Sequence, residues 1–258
     1  SDLALLPLEG TAFEAQARLA LLALYERSRD WPQAAVIAHK LQAAGQGDFS
    51  TRLAHYLCEQ AQTRHAAGDT PAALALLEQA AATAPDAPRP RLELARLQHA
   101  QGHCAAALAS LQTLAERAPA ALPLAAPLLA EVAQAAGQVA PTLALLRTHY
   151  AAAPALDLLQ AIVTLEAVQS DNPQKARQWW VKHLDTELSL VAAAQWLSTE
   201  KFAHEEFHPQ VQRALDHATK PLLRYRCAAC GFEARQHFWH CPGCQSWDSY
   251  PPRRVEEL

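Results

Sequence analysis

The residues best suited to chemistry are four cysteines near the end of the chain. They run Cys227-x2-Cys230, then ten residues, then Cys241-x2-Cys244. Each Cys-x-x-Cys can turn as a knuckle that aims two sulfurs at one point, and two facing knuckles supply the four thiolates of a tetrahedral metal site. The turn chemistry agrees. Gly231 follows the first pair, where a positive φ is commonly needed. Pro242 fixes φ inside the second pair. A segment of about 35 residues cannot bury enough apolar surface to fold alone, so one structural metal ion is the expected staple. Four thiolates leave no open position, so the site is expected to be structural and not catalytic. Zinc and a single iron of rubredoxin type both suit it, and the sequence does not choose between them. The competing arrangements are a dithiol redox centre, which usually has one Cys-x-x-Cys near a βαβ pattern, and two disulfides. His237 and His240 lie close by. His240 adjoins a ligand and could replace one, but a place behind the ligands or on the surface fits the closed all-cysteine pattern better.

No other chemistry stands out. Phosphate-binding, dinucleotide-binding and zinc-protease signatures are absent, as is G-x-S-x-G. Glu205-Glu206 and Glu256-Glu257 are adjacent in sequence, so on a helix they diverge and read as solvated surface. His204 and His208 share a helix face at i, i+4 but lack a third ligand. Cys58 and Cys104 read as buried packing residues. No catalytic or cofactor-binding residue is assigned, and an enzyme is not expected.

The elements that must position the metal site are helical. Alanine and leucine dominate from residue 11 to about 217, which is helix composition. Gly68, Gly102 and Gly137 recur at 34 and 35 residues, as do Pro85, Pro119 and Pro154; Ala61, Ala95 and Ala130 precede the glycines by seven. Small residues where two helices cross, Gly at the turn and Pro closing the second helix are the tetratricopeptide (TPR) pattern. Its physical basis is a helical hairpin with an apolar face that only a stacked neighbour can cover.

Five hairpins are expected: 11–29 with 32–44, 51–67 with 70–84, 88–101 with 104–118, 121–136 with 140–153, and 155–169 with 173–185. The fifth is degenerate, with Arg177 at a small-residue position and its turn at Asn172-Pro173. A last pair, 188–199 and 205–218, carries Trp196, Phe202 and Phe207 and is expected to cap the array and meet the metal domain. Trp179-Trp180 is expected to be half core and half surface, because adjacent helical side chains diverge. The fold class is therefore an all-α TPR superhelical solenoid over 1–219, followed by a small zinc-ribbon domain over 220–258. Of Phe232, Phe238, Trp239, Trp247 and Tyr250, some should fill the ribbon's core, and the others are expected to pack on the last helices. The tail from Pro251 to Leu258 is expected to be solvated or loosely docked.

Half of the 258 residues are apolar, 19% are charged and the net charge is −4. That is a globular balance with no broad nucleic-acid footprint. No run of 18 apolar residues predicts a membrane span, and no secretory signal is visible. Cysteine usage fits a reducing compartment. The lack of an initiator methionine, with Ser1 opening into helix-like sequence, predicts a trimmed fragment.

The ribbon residues Arg224, Tyr225, Arg226, Cys227, Cys230, Gly231, Phe232, Trp239, His240, Cys241, Pro242, Cys244 and Trp247, behind a TPR array, resemble the lipopolysaccharide assembly protein B (LapB, or YciM) family. Asp30-Trp31 and Ala54-His55-Tyr56 with Cys58-Glu59 extend the likeness into the array. The resemblance implies a rubredoxin-like metal domain and a non-catalytic adaptor. Its implied role is to promote degradation of the deacetylase LpxC by the membrane protease FtsH, with other inner-membrane lipopolysaccharide-pathway proteins and a homodimer as further partners. It also implies an N-terminal membrane helix that this soluble fragment lacks. The whole protein would then sit on the cytoplasmic face of the bacterial inner membrane. Two rivals come from the residues alone. One is a rubredoxin-type electron carrier. The other is a nucleic-acid-binding ribbon using Arg224, Arg226, Arg235, Arg253 and Arg254.

Overall fold

The computed structural model describes residues 13–170, 173–200 and 208–258. Phe202, Phe207, His204, the Glu205-Glu206 pair and Asn172 lie outside them. The chain divides between Gln101 and Gly102 into two compact units. The first holds α1 (Glu14–Ser28), α2 (Trp31–Ala43), α3 (Ser50–Ala66), α4 (Thr70–Thr83) and α5 (Pro88–Ala100). The second holds α6 (Cys104–Arg117), α7 (Leu122–Ala135), α8 (Val139–Ala152), α9 (Leu156–Gln169), α10 (Pro173–Leu184), α11 (Leu190–Thr199) and α12 (His208–Thr219). A ribbon of β1 (Tyr225–Arg226) and β2 (Glu233–Ala234) follows.

The helix boundaries come from local chemistry. Asp30 and Asp69 cap α2 and α4, accepting from the N–H groups of Gln33 and Ala72 at 3.3 and 3.2 Å, with proline in each first turn. Such caps satisfy donors that the helix cannot satisfy itself and are worth about 1 kcal/mol each. Gly68 and Gly137 take φ of +84° and +67° just beyond α3 and α7, a conformation an L side chain resists. The chain can therefore reverse into the second helix of each hairpin.

The small residues do what their period requires. Ala54, Ala61, Ala73 and Ala80 are fully buried where α3 crosses α4, beside Cys58, Leu77 and Leu97. First helices also pack on the next first helix, α3 on α5 and α7 on α9. That is TPR packing, with each hairpin covering the apolar face of its neighbour. In the second unit Leu129, Leu146, Leu159 and Leu165 are fully buried, contributing about 2 kcal/mol apiece. On α10, Trp180 is buried while Trp179 is half-exposed, as adjacency demands.

The first unit also holds a charged centre that hydrophobic patterning does not signal. Arg89 is buried at 2% exposure. It donates to Glu59 at 2.7 Å and to Glu93 at 2.5 Å, and its Nη1 lies 3.4 Å from His55 Nδ1. α3 and α5 are thereby tied through one guanidinium. Cys58 is buried as expected, and burial holds its thiol well above the usual range. Cys104 is only half-buried, because it opens α6 outside the packing stripe.

The tail corrects the expectation of loose docking. Its backbone pairs with the segment before β1, Val255 N–H to Arg224 O at 2.8 Å and Glu256 N–H to Leu222 O at 3.2 Å. Arg254 forms two bonds to Asp157 at 2.8 and 2.9 Å, donates to Leu223 O at 2.7 Å, and lies 4.2 Å from the centroid of the Tyr225 ring. Glu257 accepts from Leu156 N–H at 2.9 Å, supplying the cap that Ala155 cannot give α9. Glu256 accepts from the N–H groups of Leu190 and Val191 at 2.7 and 3.0 Å and from Ser189 Oγ at 2.7 Å, at the start of α11. The two carboxylates do diverge, but each ends on the positive end of a different helix instead of in water.

Candidate metal centre

Each cysteine pair sits in a knuckle of the same design. Cys227 N–H donates to Phe232 O at 2.9 Å, and Gly231 N–H donates to Cys227 O at 2.8 Å. In the second knuckle Cys241 N–H donates to Ser246 O at 2.9 Å, and Gln245 N–H donates to Cys241 O at 2.8 Å. The fifth residue of each turn must take a positive φ, +77° at Gly231 and +61° at Gln245. Gly231 meets that need without strain, whereas Gln245 carries a side chain through it.

The two knuckles face each other. Cys227 Sγ lies 3.8 Å from Cys244 Sγ, and Cys230 Sγ lies 3.7 Å from Cys241 Sγ. All four sulfurs lie within 4.8 Å of one another. A tetrahedron of zinc–sulfur bonds near 2.3 Å has sulfur–sulfur edges of about 3.8 Å. A disulfide needs about 2.05 Å, so the two-disulfide alternative does not fit. The cluster is geometrically consistent with one structural zinc or iron ion. Cys227 and Cys241 are buried on the inner side, while Cys230 and Cys244 face outward.

The electrostatics favour a cation. Burial opposes charge at Cys227, but Ser249 Oγ at 3.2 Å and the N–H groups of Cys230 and Ala229 outweigh it and bring the thiol down to about 6. Cys244 is lowered as well, first by Ser246 Oγ at 3.3 Å. Cys230 has the Phe232 N–H in its favour, yet burial and the neighbouring sulfurs push it up to about 12. Four thiols so close cannot all ionise without a positive charge among them, and a bound metal supplies that charge.

The histidines stay out of the cluster. His240 stacks on Trp247 with centroids 4.3 Å apart. His237 Nε2 lies 3.0 Å from Tyr250 O, and its ring packs edge-on against Tyr225 and Trp239. His208 Nε2 is tied to Leu197 O at 3.1 Å. The ribbon's core is Tyr225, Tyr250, Cys227 and Cys241, with Phe238 and Leu124 of α7 packed against it. Among the described residues, its apolar neighbour in the helical part is Leu124 of α7, where the last helices had been expected. Phe232 remains 45% exposed.

Four of the five arginines proposed as phosphate contacts already have acidic or carbonyl partners. Arg224 and Arg226 pair with Glu233 at 3.6 and 2.8 Å, Arg253 donates to Pro154 O at 3.1 Å, and Arg254 holds Asp157. The tail's docking residues were missed by sequence reasoning. A signal was there: α9 opens at Ala155-Leu156 without a capping side chain, so its donors needed a partner from elsewhere.

Two family models match parts of the chain. The LapB-type zinc ribbon, described as a rubredoxin metal binding domain, matches residues 225–251. A tetratricopeptide repeat family matches residues 64–132. Lipopolysaccharide assembly protein B of Escherichia coli K12 is 25% identical over 95% of this chain, and that of E. coli O157:H7 matches equally. The chain spans 64% of the length of these relatives. Among solved structures, PilF of Pseudomonas aeruginosa aligns over 80% of this chain and 90% of its own, at 12% identity and a TM-score of 0.45. A TPR protein of Thermus thermophilus aligns over 66% of this chain and 93% of its own, at 22% identity and a TM-score of 0.42. No single helix among the described residues is long and apolar enough to cross a membrane.

Proposed function

Taking the chain as a member of the lipopolysaccharide assembly protein B family, we propose that it is a non-catalytic adaptor whose TPR hairpins hold other proteins of the lipopolysaccharide pathway. In this reading its partners are FtsH and LpxC, and it promotes proteolysis of the deacetylase on the cytoplasmic face of the inner membrane. Cys227, Cys230, Cys241 and Cys244 are the metal ligands. The observation that carries the reading is the pairing on one chain of stacked hairpins with a LapB-type ribbon, matched to the E. coli relatives over 95% of its length.

The chemistry supports this division of labour. When bound, the metal supplies folding free energy to a ribbon too small for its own core. With four thiolates there is no open position for a substrate. The helical hairpins supply extended surface for protein contacts. The ribbon and tail hold the starts of α9 and α11 in place, so the metal's role is to fix the second unit's end.

The test is Cys227→Ser in the full-length protein, with metal content and the cellular level of LpxC as readouts. Metal is expected to fall below half occupancy and LpxC to accumulate. Normal LpxC turnover by a metal-free protein would reject the link between ribbon and adaptor.

A further inference from the structure

The exposed side of α10 lines a cavity of about 530 Å³ with the last turns of α8 and α9. Lys175, Gln178, Trp179 and Lys182 lie at i, i+3, i+4 and i+7, so they form one stripe, while Ala176, Trp180 and His183 on the other side are buried. Arg147 of α8 and Glu166 of α9 complete the wall.

The polar groups are held in place. Glu166 is only 5% exposed and accepts from Arg147 Nη2 and from Trp179 Nε1, the latter at 3.1 Å. Tyr150 packs edge-on against the Trp179 ring at 5.9 Å, and its hydroxyl is bonded to His183 Nδ1 at 2.7 Å. That fixed ring carries Lys182 Nζ at 4.8 Å and the Arg147 guanidinium at 5.6 Å from its centroid. A cation over an indole face is partly desolvated and restrained. Among the described residues, the lining has three basic side chains against one carboxylate. Glu166 is paired with Arg147, which leaves the charges of Lys175 and Lys182 without an acidic partner among the described lining residues.

We propose that this cavity binds the carboxylate side chains of an acidic segment of a partner protein. Its volume is that of a ligand site and admits two or three side chains. Lys175 and Lys182 line it as point charges, and Arg147, whose side chain is 45% exposed, gives Glu166 one guanidinium nitrogen and has further N–H donors to offer. Gln169 and Gln178 add neutral hydrogen-bonding groups at the rim. Charge complementarity selects acidic side chains over basic or apolar ones. The inference rests on the adaptor reading only for the occupant being a partner protein.

The test is fluorescence anisotropy of the full chain with a labelled hexapeptide bearing four carboxylates, against its amide counterpart. The acidic peptide is expected to bind at least tenfold more tightly than the amide, with affinity falling as salt rises. Lys175→Ala with Lys182→Ala should weaken it at least tenfold, while Lys220→Ala, which removes one charge elsewhere, should leave it within twofold. If the double alanine variant folds poorly by circular dichroism, Lys175→Glu with Lys182→Glu replaces it and should bind a lysine-bearing hexapeptide instead. Equal binding of acid and amide, no effect of either double variant, or tighter binding of inorganic phosphate than of the peptide would each overturn the assignment. Loss of peptide binding with LpxC still captured would sink the pocket and leave the adaptor reading intact. Failure to capture LpxC with peptide binding unchanged would do the reverse.

Discussion

Replacing Arg254 by alanine probes the tail's hold on the second unit most directly. The guanidinium makes two bonds to Asp157 at 2.8 and 2.9 Å and a third to Leu223 O at 2.7 Å. The paired side chains are 18% and 14% exposed, so the pair is largely, but not fully, out of water. Removing one partner of a fully buried pair costs about 3–5 kcal/mol, and partial exposure brings that to about 2–3 kcal/mol. The contact with the Tyr225 ring adds about 0.5–1 kcal/mol. Tyr225 OH, 3.3 Å from Asp157, stays as a weak partner and limits the loss. The expected sum is about 2–4 kcal/mol, or roughly 30- to 900-fold in a local opening equilibrium. Hydrogen exchange reads it at the Val255 N–H, bonded to Arg224 O, and at the Leu156 N–H, bonded to Glu257. Both should exchange faster by that factor, with amides of α3 and α4 unchanged. In a double-mutant cycle with Asp157→Ala the coupling should exceed about 1 kcal/mol. A change under threefold at both amides would refute the tail as a staple.

The buried cluster of the first unit makes a second prediction: Arg89→Ala leaves Glu59 and Glu93 facing each other, and urea denaturation should show a loss of about 3 kcal/mol. The two knuckles predict opposite effects at equivalent positions. Gly231→Ala should speed metal loss to a chelator, since its Cβ would meet open space but a φ of +77° costs about 1 kcal/mol or more. Gln245→Gly, at φ +61°, should slow it. His183 predicts a pH effect. Burial lowers its pKa, against the opposing pull of Glu187 and Glu256, and its Nδ1 is bonded to Tyr150. The unfolded chain then binds more protons near pH 6, so stability must fall as pH drops through 6.5 and below. Melting followed between pH 7.5 and 5 should show this fall, and His183→Gln should flatten it; an unchanged slope would contradict the assignment.

Much of this architecture could be read from the chain itself. The 34-residue recurrence of Gly68, Gly102 and Gly137 marks turns because each needs a positive φ, a backbone property that requires no tertiary context. Capping by Asp30 and Asp69 is equally local, which is why α2 and α4 start within about one residue of expectation. The four cysteines could be picked out for a similar reason: a knuckle closes over five residues, and two facing knuckles bring four sulfurs within 4.8 Å of one another. The Trp179 cavity was half legible, since helical spacing puts Lys175, Trp179 and Lys182 on one face but says nothing of Arg147 or Glu166 opposite.

What the tertiary structure alone decided lies between residues far apart in sequence. Glu256 and Glu257 look like a solvated pair until the unsatisfied amides of Leu156 and Val191 are brought beside them, about 100 and 65 residues back along the chain. Arg89 looks like a surface residue of α5 until α3 presents Glu59 and His55 to it. Short-range order obeys dihedral sterics and capping, which the local sequence carries. A charge or an open hydrogen bond takes its meaning from whatever the fold places within 3 Å of it, and that partner can come from anywhere in the chain.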